Sequence, residues 1–467
     1  MKKTFFKNFS YVFVANSACI LMNAAVNFLV PALFSQEAYS YYQLENLYCG
    51  YLWILTLGWH EGFYIYYGGK TEEKMDLGEI RSQFWLFFLY MVVMSFLAVG
   101  IGGIIFFDET KKYVFGMSMI SVALEAVRCI FLYYLLCIDK MKRYSAYMVA
   151  DRIVYIAFLL VLLLSGCKDY SYLIGADILS KAVLLACILW MNRSVLFHRV
   201  YTVKETFRHT KTMVASGINV AVASFVSRFI NGTVRLAIES VWGILVFGKI
   251  SLTLSVSNMF TQFIQAVSVI LFPALRRTTE QKQRQLYAII SDLLDICMFC
   301  VFLFYLPGVR VLGFLLPQYR DGLQYMAILF PVCLYDARNM ILDNTYLKAL
   351  HKEKGILVSN LVAVCFSLVF SGITVFWLHN LNFAVFSMVL LTAIRCACSE
   401  WVLKKELHQN MMQSFAEESV MTFVFIMANW TVSGIGGTLI YACTLCFYIA
   451  INRRRILEAV GYLWKRV

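Results

Sequence analysis

The sequence predicts an all-α polytopic membrane protein of about 14 transmembrane helices, and three observations carry that expectation. Of 467 residues, 61% are hydrophobic and only 15% charged, a balance too apolar for a soluble domain. Apolar runs of about 20 residues recur from end to end, each long enough to cross a ~30 Å hydrocarbon core as a helix. No connection between them is long enough to fold alone.

In chain order the runs fall at 9–31, 41–67, 83–107, 113–138, 144–166, 172–192 and 213–233, then at 243–274, 286–306, 322–347, 356–377, 383–403, 416–433 and 437–451. The first follows Lys2, Lys3 and Lys7, but it exceeds a signal-peptide core and lacks a small-residue cleavage site, so it is read as a helix. The run starting at 243 is overlong, so its outer end tilts or leaves the hydrocarbon. The last two runs are short, and a re-entrant hairpin would serve there without moving either terminus.

Charge in the connections sets the orientation, because Lys and Arg accumulate on the cytoplasmic side. Of the 41 Lys and Arg residues, 28 fall in the alternate connections that include both ends, against 6 in the others. Both termini are therefore expected inside. This asymmetry and anionic headgroups account for most of the formal charge of +13, and nucleic acid is not an expected partner. The tail, 452–467, reads as a basic amphipathic helix on the inner leaflet. The 14 cysteines lie mostly in apolar runs; Cys297 with Cys300 and Cys443 with Cys446 have CxxC spacing, but no second pair or nearby His completes a zinc site. Neither a metal nor a cofactor is expected.

Seven basic residues remain inside the runs: Arg128, Arg152, Lys181, Arg228, Lys249, Arg338 and Arg395. A charge near the bilayer centre costs roughly 2.5–3.5 kcal/mol on insertion scales, so it turns to a bundle interior or a water-filled cavity. Some have local partners. Glu125 and Arg128 are three apart, Asp177 and Lys181 four apart, and Arg235 and Glu239 four apart, so each pair shares a helix face. Asp336 and Arg338, two apart, do not face one another. Arg228 and Arg395 have no acid at helical spacing on their own runs; Glu400 lies five beyond Arg395. They are expected to line a cavity, with Arg128 and Arg152 as contributors. A guanidinium is permanently charged and its fork matches phosphate oxygens, which points to an anionic, phosphate-bearing substrate. A cation exporter would instead need an unpaired carboxylate. Asp292, Asp295 and Asp343 lie in apolar runs, but the first two sit near a cytoplasmic end, where snorkelling to water is expected.

The stretch LGWHEGFYIYYGGK at 57–70 resembles the second-helix motif of bacterial polysaccharide flippases, the O-antigen or Wzx-type branch of the multidrug/oligosaccharidyl-lipid/polysaccharide (MOP) exporter superfamily. DKMKRYSAYMVADR at 139–152, SRFING at 227–232, VFGKISLTLSVSNMF at 246–260, LFPALRR at 271–277 and TYLKALHKEKG at 345–355 extend the resemblance over most of the chain. The order of these stretches is the stronger argument. Family members usually carry an acid where Glu61 stands, whereas His60 and Ser227 depart from the pattern.

The resemblance implies a MATE-like V-shaped transporter with a six-helix bundle at 1–192, a cytoplasmic linker at 193–212, a second bundle at 213–403, a helix pair at 404–451 and a basic tail at 452–467. It also implies a bacterial cell membrane location. The substrate it implies is an undecaprenyl-pyrophosphate-linked polysaccharide repeat unit, moved from inner to outer leaflet by alternating access. In that reading Arg128, Arg152, Arg228 and Arg395 are the substrate-binding cations, and membrane lipid is a further partner.

His60 and Glu61 stand together in an otherwise apolar run. Zinc-protease HExxH chemistry fails because position 64 is Tyr. Two readings stay open: a proton (H+) or sodium (Na+) coupling site or latch, or a helix-end acid bonded to a neighbouring helix. Asp177 and Lys181 carry the same two readings, ion coupling or gating against a satisfied internal pair. Gly58 and Gly62, four apart, allow close helix approach. The rival functions are a cation-coupled multidrug antiporter of the same superfamily, an integral polysaccharide polymerase or glycosyltransferase, and a scaffold. The longest outer connection, about 15 residues with no acidic cluster, argues against an enzyme.

Overall fold

A computed structural model describes residues 2–68, 75–196, 201–276, 280–350, 352–407, 412–432 and 434–464. The end of the 57–70 stretch, part of the expected linker and the last three residues of the tail lie outside them. Every regular element among the described residues is helical. Among the described residues ten helices are long and apolar enough to span a membrane, and counting each of two bent pairs as one span brings the number to twelve. The other two expected runs are also helical. The run at 41–67 is broken into shorter pieces, and Glu417, Glu418 and Asn429 dilute the hydropathy of that at 416–433. The chain divides into two compact units, 1–228 and 229–467.

The first unit contains α1 (Lys2–Leu33), α2 (Gln36–Leu52), α3 (Trp59–Tyr67), α4 (Leu77–Ile105), α5 (Glu109–Cys137), α6 (Met141–Ser165), α7 (Tyr170–Met191), the short α8 (Arg193–Leu196) and the beginning of α9 (Val203–Trp242). Turn residues start these helices by accepting hydrogen bonds from otherwise orphaned first-turn amides. Ser35 accepts from Ala38 N at 3.1 Å, Asp76 from Gly78 N at 2.8 Å and Asp108 from Thr110 N at 2.9 Å. Helix α5 is the hub, packing against α2, α3, α4 and α7, and Val114, Ala126 and Ile130 along it are buried.

The run at 41–67 is not one helix. Trp53–Thr56 tightens into a 3-10 turn, and Leu57 and Gly58 take positive φ of 53° and 67° before α3 restarts. Glycine adopts that conformation at little steric cost. It also removes bulk at a crossing: a Cβ on Gly58 would strike the Gly217 carbonyl, and one on Gly62 the Met213 carbonyl. The close approach expected of Gly58 and Gly62 is thus made, backbone against backbone, with α9.

Within the expected linker at 193–212, α8 covers Arg193–Leu196 and α9 begins at Val203. Its first turns are fastened to α4. Gln83 Nε2 donates to Thr206 O at 2.9 Å, Thr210 Oγ1 donates to Gln83 Oε1 at 2.9 Å, and His209 lies 2.9 Å from Glu79. Thr206, His209 and Thr210 are thus partners of α4 side chains.

The second unit continues α9 from Phe229 and adds α10 (Ile244–Arg276), α11 (Glu280–Phe302) and α12 (Tyr305–Leu315). The run at 322–347 is assembled from α13 (Arg320–Leu323), α14 (Met326–Leu329), α15 (Val332–Arg338), a π-helical turn at Asn339–Asp343 and α16 (Asn344–Ala349), with a 57° bend at its start. Pro331, which has no N–H to donate, stands at the start of α15. Then come α17 (Glu353–Ser371), α18 (Leu381–Leu407), α19 (Met412–Thr431), α20 (Ile435–Ile451) and, after a 75° bend, α21 (Arg453–Trp464). Helix α12 occupies what sequence spacing marked as an outer connection; Val309, Leu312 and Leu315 supply its apolar face.

Candidate functional site

In the first unit α2, α5, α6 and α7 bring charged groups together inside the bundle. Lys181 Nζ lies 2.5 Å from Asp177 Oδ2 and donates to Ser121 Oγ at 2.6 Å. Arg128 Nη2 meets Glu125, one turn earlier, at 2.6 Å, and its Nη1 meets Asp151 at 2.7 Å. Arg152 Nε is a looser 3.6 Å from Asp151, with a side chain 38% exposed. The expected same-helix pairs of Arg128 and Lys181 therefore form. Arg128 is also claimed by an acid on a second helix, so the buried guanidinium answers two carboxylates. Glu45, buried on α2, has one carboxylate oxygen without a hydrogen-bond partner.

Arg228 differs from these. It is exposed although it sits within a long apolar helix, and its Nη1 donates only to a backbone carbonyl, Gly50 O, at 3.3 Å. Among the described residues no carboxylate lies within ion-pair distance of it. Gly50 makes room: a Cβ there would touch the Arg228 side chain at 3.5 Å.

His60 is buried, and its Nε2 lies 3.1 Å from the Glu61 carboxylate. The two are close, but that carboxylate oxygen is not aligned for a hydrogen bond, and His60 Nδ1 has no partner. Trp53 and Tyr133 wall the imidazole at centroid distances of 5.1 and 5.6 Å. Glu61 thus sits beside a histidine in an aromatic niche rather than bridging to another helix through a hydrogen bond.

The second unit holds the cluster that sequence reasoning missed. Arg338 is completely buried and touches carboxylates from three other helices: Asp295 at 3.1 Å, Glu400 and Glu418. Ser414 Oγ donates to Asp295 Oδ2 at 3.1 Å. Nearby Asp343 is also fully buried, and neither of its oxygens has a hydrogen-bond partner. Snorkelling, expected of Asp295, is overturned by this burial; Asp292 is held instead by Arg455 of α21, which also reaches Glu417 at 3.3 Å. Arg395 is not an isolated charge, because Asp336 of α15 meets it at 2.6 Å. Arg235 donates to Ser251 Oγ at 2.7 Å and lies over the Phe247 ring. The signal in the sequence was acids within apolar runs; their convergence on Arg338 comes from helix packing across large sequence separations.

Among the described residues no three His, Cys, Asp or Glu side chains are arranged as metal donors.

No family model matches the chain, and no curated protein sequence does. Solved structures do match in fold. A lipid II flippase, MurJ, in an inward closed conformation has a TM-score of 0.63 at 13% identity, over 97% of this chain and 100% of that one. An inward-facing multidrug resistance MATE family transporter of the MOP superfamily has a TM-score of 0.62 at 11% identity, over 87% of this chain and 95% of that one. A MOP superfamily transporter from Pyrococcus furiosus has 0.52 at 10%, over 86% and 97%. The chain is thus a multi-pass membrane protein with the fold shared by MOP-superfamily transporters and the lipid II flippase.

Proposed function

We propose that this protein is a flippase for an undecaprenyl-pyrophosphate-linked polysaccharide repeat unit, carrying it from the inner to the outer leaflet by alternating access. The observation that carries the reading is Arg228: an exposed guanidinium in an apolar helix, held by one backbone carbonyl and no acid among the described residues. Such a group retains an uncommitted fork for a pyrophosphate. Arg152, loosely tied and partly exposed, is the second contributor, whereas Arg128 and Arg395 are already neutralised by Asp151, Glu125 and Asp336 and shape the surrounding potential. The match to a lipid II flippase supports a lipid-linked substrate without naming its sugars.

A second reading, a cation-coupled multidrug antiporter, is favoured by one feature: the excess of buried carboxylates around Arg338. One reconstitution separates the two. Proteoliposomes bearing wild type, Arg228→Lys or Arg228→Ala are assayed for flipping of a fluorescent isoprenoid-pyrophosphate saccharide and for uptake of a cationic dye under a pH gradient. The flippase reading expects saccharide flipping by wild type, a loss of about tenfold or more in Arg228→Ala, equivalent to at least ~1.4 kcal/mol, and an intermediate loss in Arg228→Lys. Full flipping by Arg228→Ala at normal expression overturns the assignment of Arg228. Dye uptake without saccharide flipping overturns the flippase reading.

A further inference from the structure

The second unit contains a cavity of about 790 Å³ that is separate from the Arg338 cluster. Its wall is made by α12, α13, the last turn of α19 and Gly434. Two guanidiniums, Arg310 and Arg320, border it. Both are exposed, and among the described residues neither has a carboxylate within ion-pair distance. Asp321, the acid beside Arg320 in sequence, lies 3.7 Å from Lys249 instead.

The remaining lining is largely apolar, with Leu306, Val309 and Leu323 beside aromatic side chains and the amides of Gln324 and Asn429. Tyr305 is buried in the wall, Trp430 stacks at a tilt against Tyr325 with centroids 5.9 Å apart, and Gln324 is exposed at the edge.

We infer that this cavity binds an anionic saccharide, a sugar ring bearing a phosphate or carboxylate. Two uncommitted guanidiniums bordering one cavity repel each other and concentrate anions, and each forked donor matches a phosphate or carboxylate edge. The volume lies in the range that encloses a drug-sized ligand, far more than a lone inorganic anion fills. An indole accepts the apolar C–H face of a sugar ring, while the Gln324 amide and guanidiniums satisfy its hydroxyls. A simple anion site would need no aromatic wall.

The inference stands on the second unit alone and does not require the flippase reading, because its test reads binding and not transport. Full-length protein in phosphatidylcholine nanodiscs is titrated calorimetrically with glucose 1-phosphate, glucose and inorganic phosphate. A parallel arm uses nanodiscs containing phosphatidylglycerol. The variants are the double substitution Arg310→Ala with Arg320→Ala, its Lys counterpart, and Trp430→Ala. Saturable binding of glucose 1-phosphate is expected, at least tenfold tighter than glucose or inorganic phosphate. The Ala double variant should weaken it tenfold or more and Trp430→Ala severalfold, while the Lys variant retains part of it. Since Arg310 and Arg320 are exposed, unchanged thermal unfolding checks that folding is intact; the Lys variant, which preserves charge and bulk, serves if it is not. Equal binding by wild type and a folded Ala double variant overturns the proposal. So does equal affinity for inorganic phosphate, which would make the site a plain anion site. Loss of sugar phosphate binding in phosphatidylglycerol nanodiscs would identify a lipid headgroup as the occupant and likewise overturn it.

Discussion

At the scale of the residue, the seven intramembrane cations separate into different chemical situations that sequence spacing alone does not distinguish. Arg338 is the extreme. It has no exposure and touches Asp295, Glu400 and Glu418, so its removal leaves carboxylates buried without their counter-ion. Breaking a buried ion cluster from one side destabilises by roughly 3–5 kcal/mol. Arg338→Met should therefore lower the denaturation midpoint of the purified protein strongly. Adding Glu418→Gln in the same chain should restore part of the loss, since it removes one stranded charge. Independent, additive effects of the two substitutions would show that the groups are not coupled as their distances indicate. Arg228 stands at the other extreme, exposed and answered by one carbonyl, and substituting it should affect stability little.

At the scale of the element, the crossing of α3 and α9 depends on glycine. Gly58, Gly62 and Gly217 leave the backbones in contact, and a Cβ on Gly217 would meet the Gly58 carbonyl, which belongs to rigid backbone and not to a side chain free to turn. Gly217→Ala should destabilise by about 1–3 kcal/mol, the usual result of forcing extra atoms into a closed contact. Gly100→Ala, in α4 with nothing within 4 Å of the new methyl, is the matched control. It should be neutral or stabilise by up to about 1 kcal/mol through helix propensity. Thermal unfolding of both in the same detergent measures the contrast, and equal effects would mean that the crossing is not close-packed. The break at Leu57–Gly58 has the same origin: the chain reverses its helical φ at the residues that turn α3 against its neighbour.

At the scale of the whole molecule, the uneven distribution of Lys and Arg predicts a definite orientation: both ends inside, with 168 on the outside and 204 on the inside. Lys168→Cys and Lys204→Cys, labelled in intact cells with a membrane-impermeant maleimide against the unsubstituted background, test it. Position 168 should label from outside, and 204 only after the membrane is opened. The reverse pattern would invert the topology. Helix α21 leaves α20 at a 75° bend and is tied by Arg455 to Asp292 and Glu417, so it is fastened to α11 and α19.

The sequence by itself determined the fold class, where nearly every helix lies and which same-helix pairs form, because hydrophobic burial and i to i+4 spacing are properties of contiguous residues. Glu125 with Arg128 and Asp177 with Lys181 were legible for that reason. Only the tertiary structure decided the rest. The fastening of 203–212 to α4 by Gln83 and Glu79, the pairing of Arg395 with Asp336, and the gathering of Asp295, Glu400 and Glu418 on Arg338 each join residues more than forty positions apart. The partner of a buried charge is whichever opposite charge helix packing brings within about 4 Å, and local sequence pattern does not encode that choice.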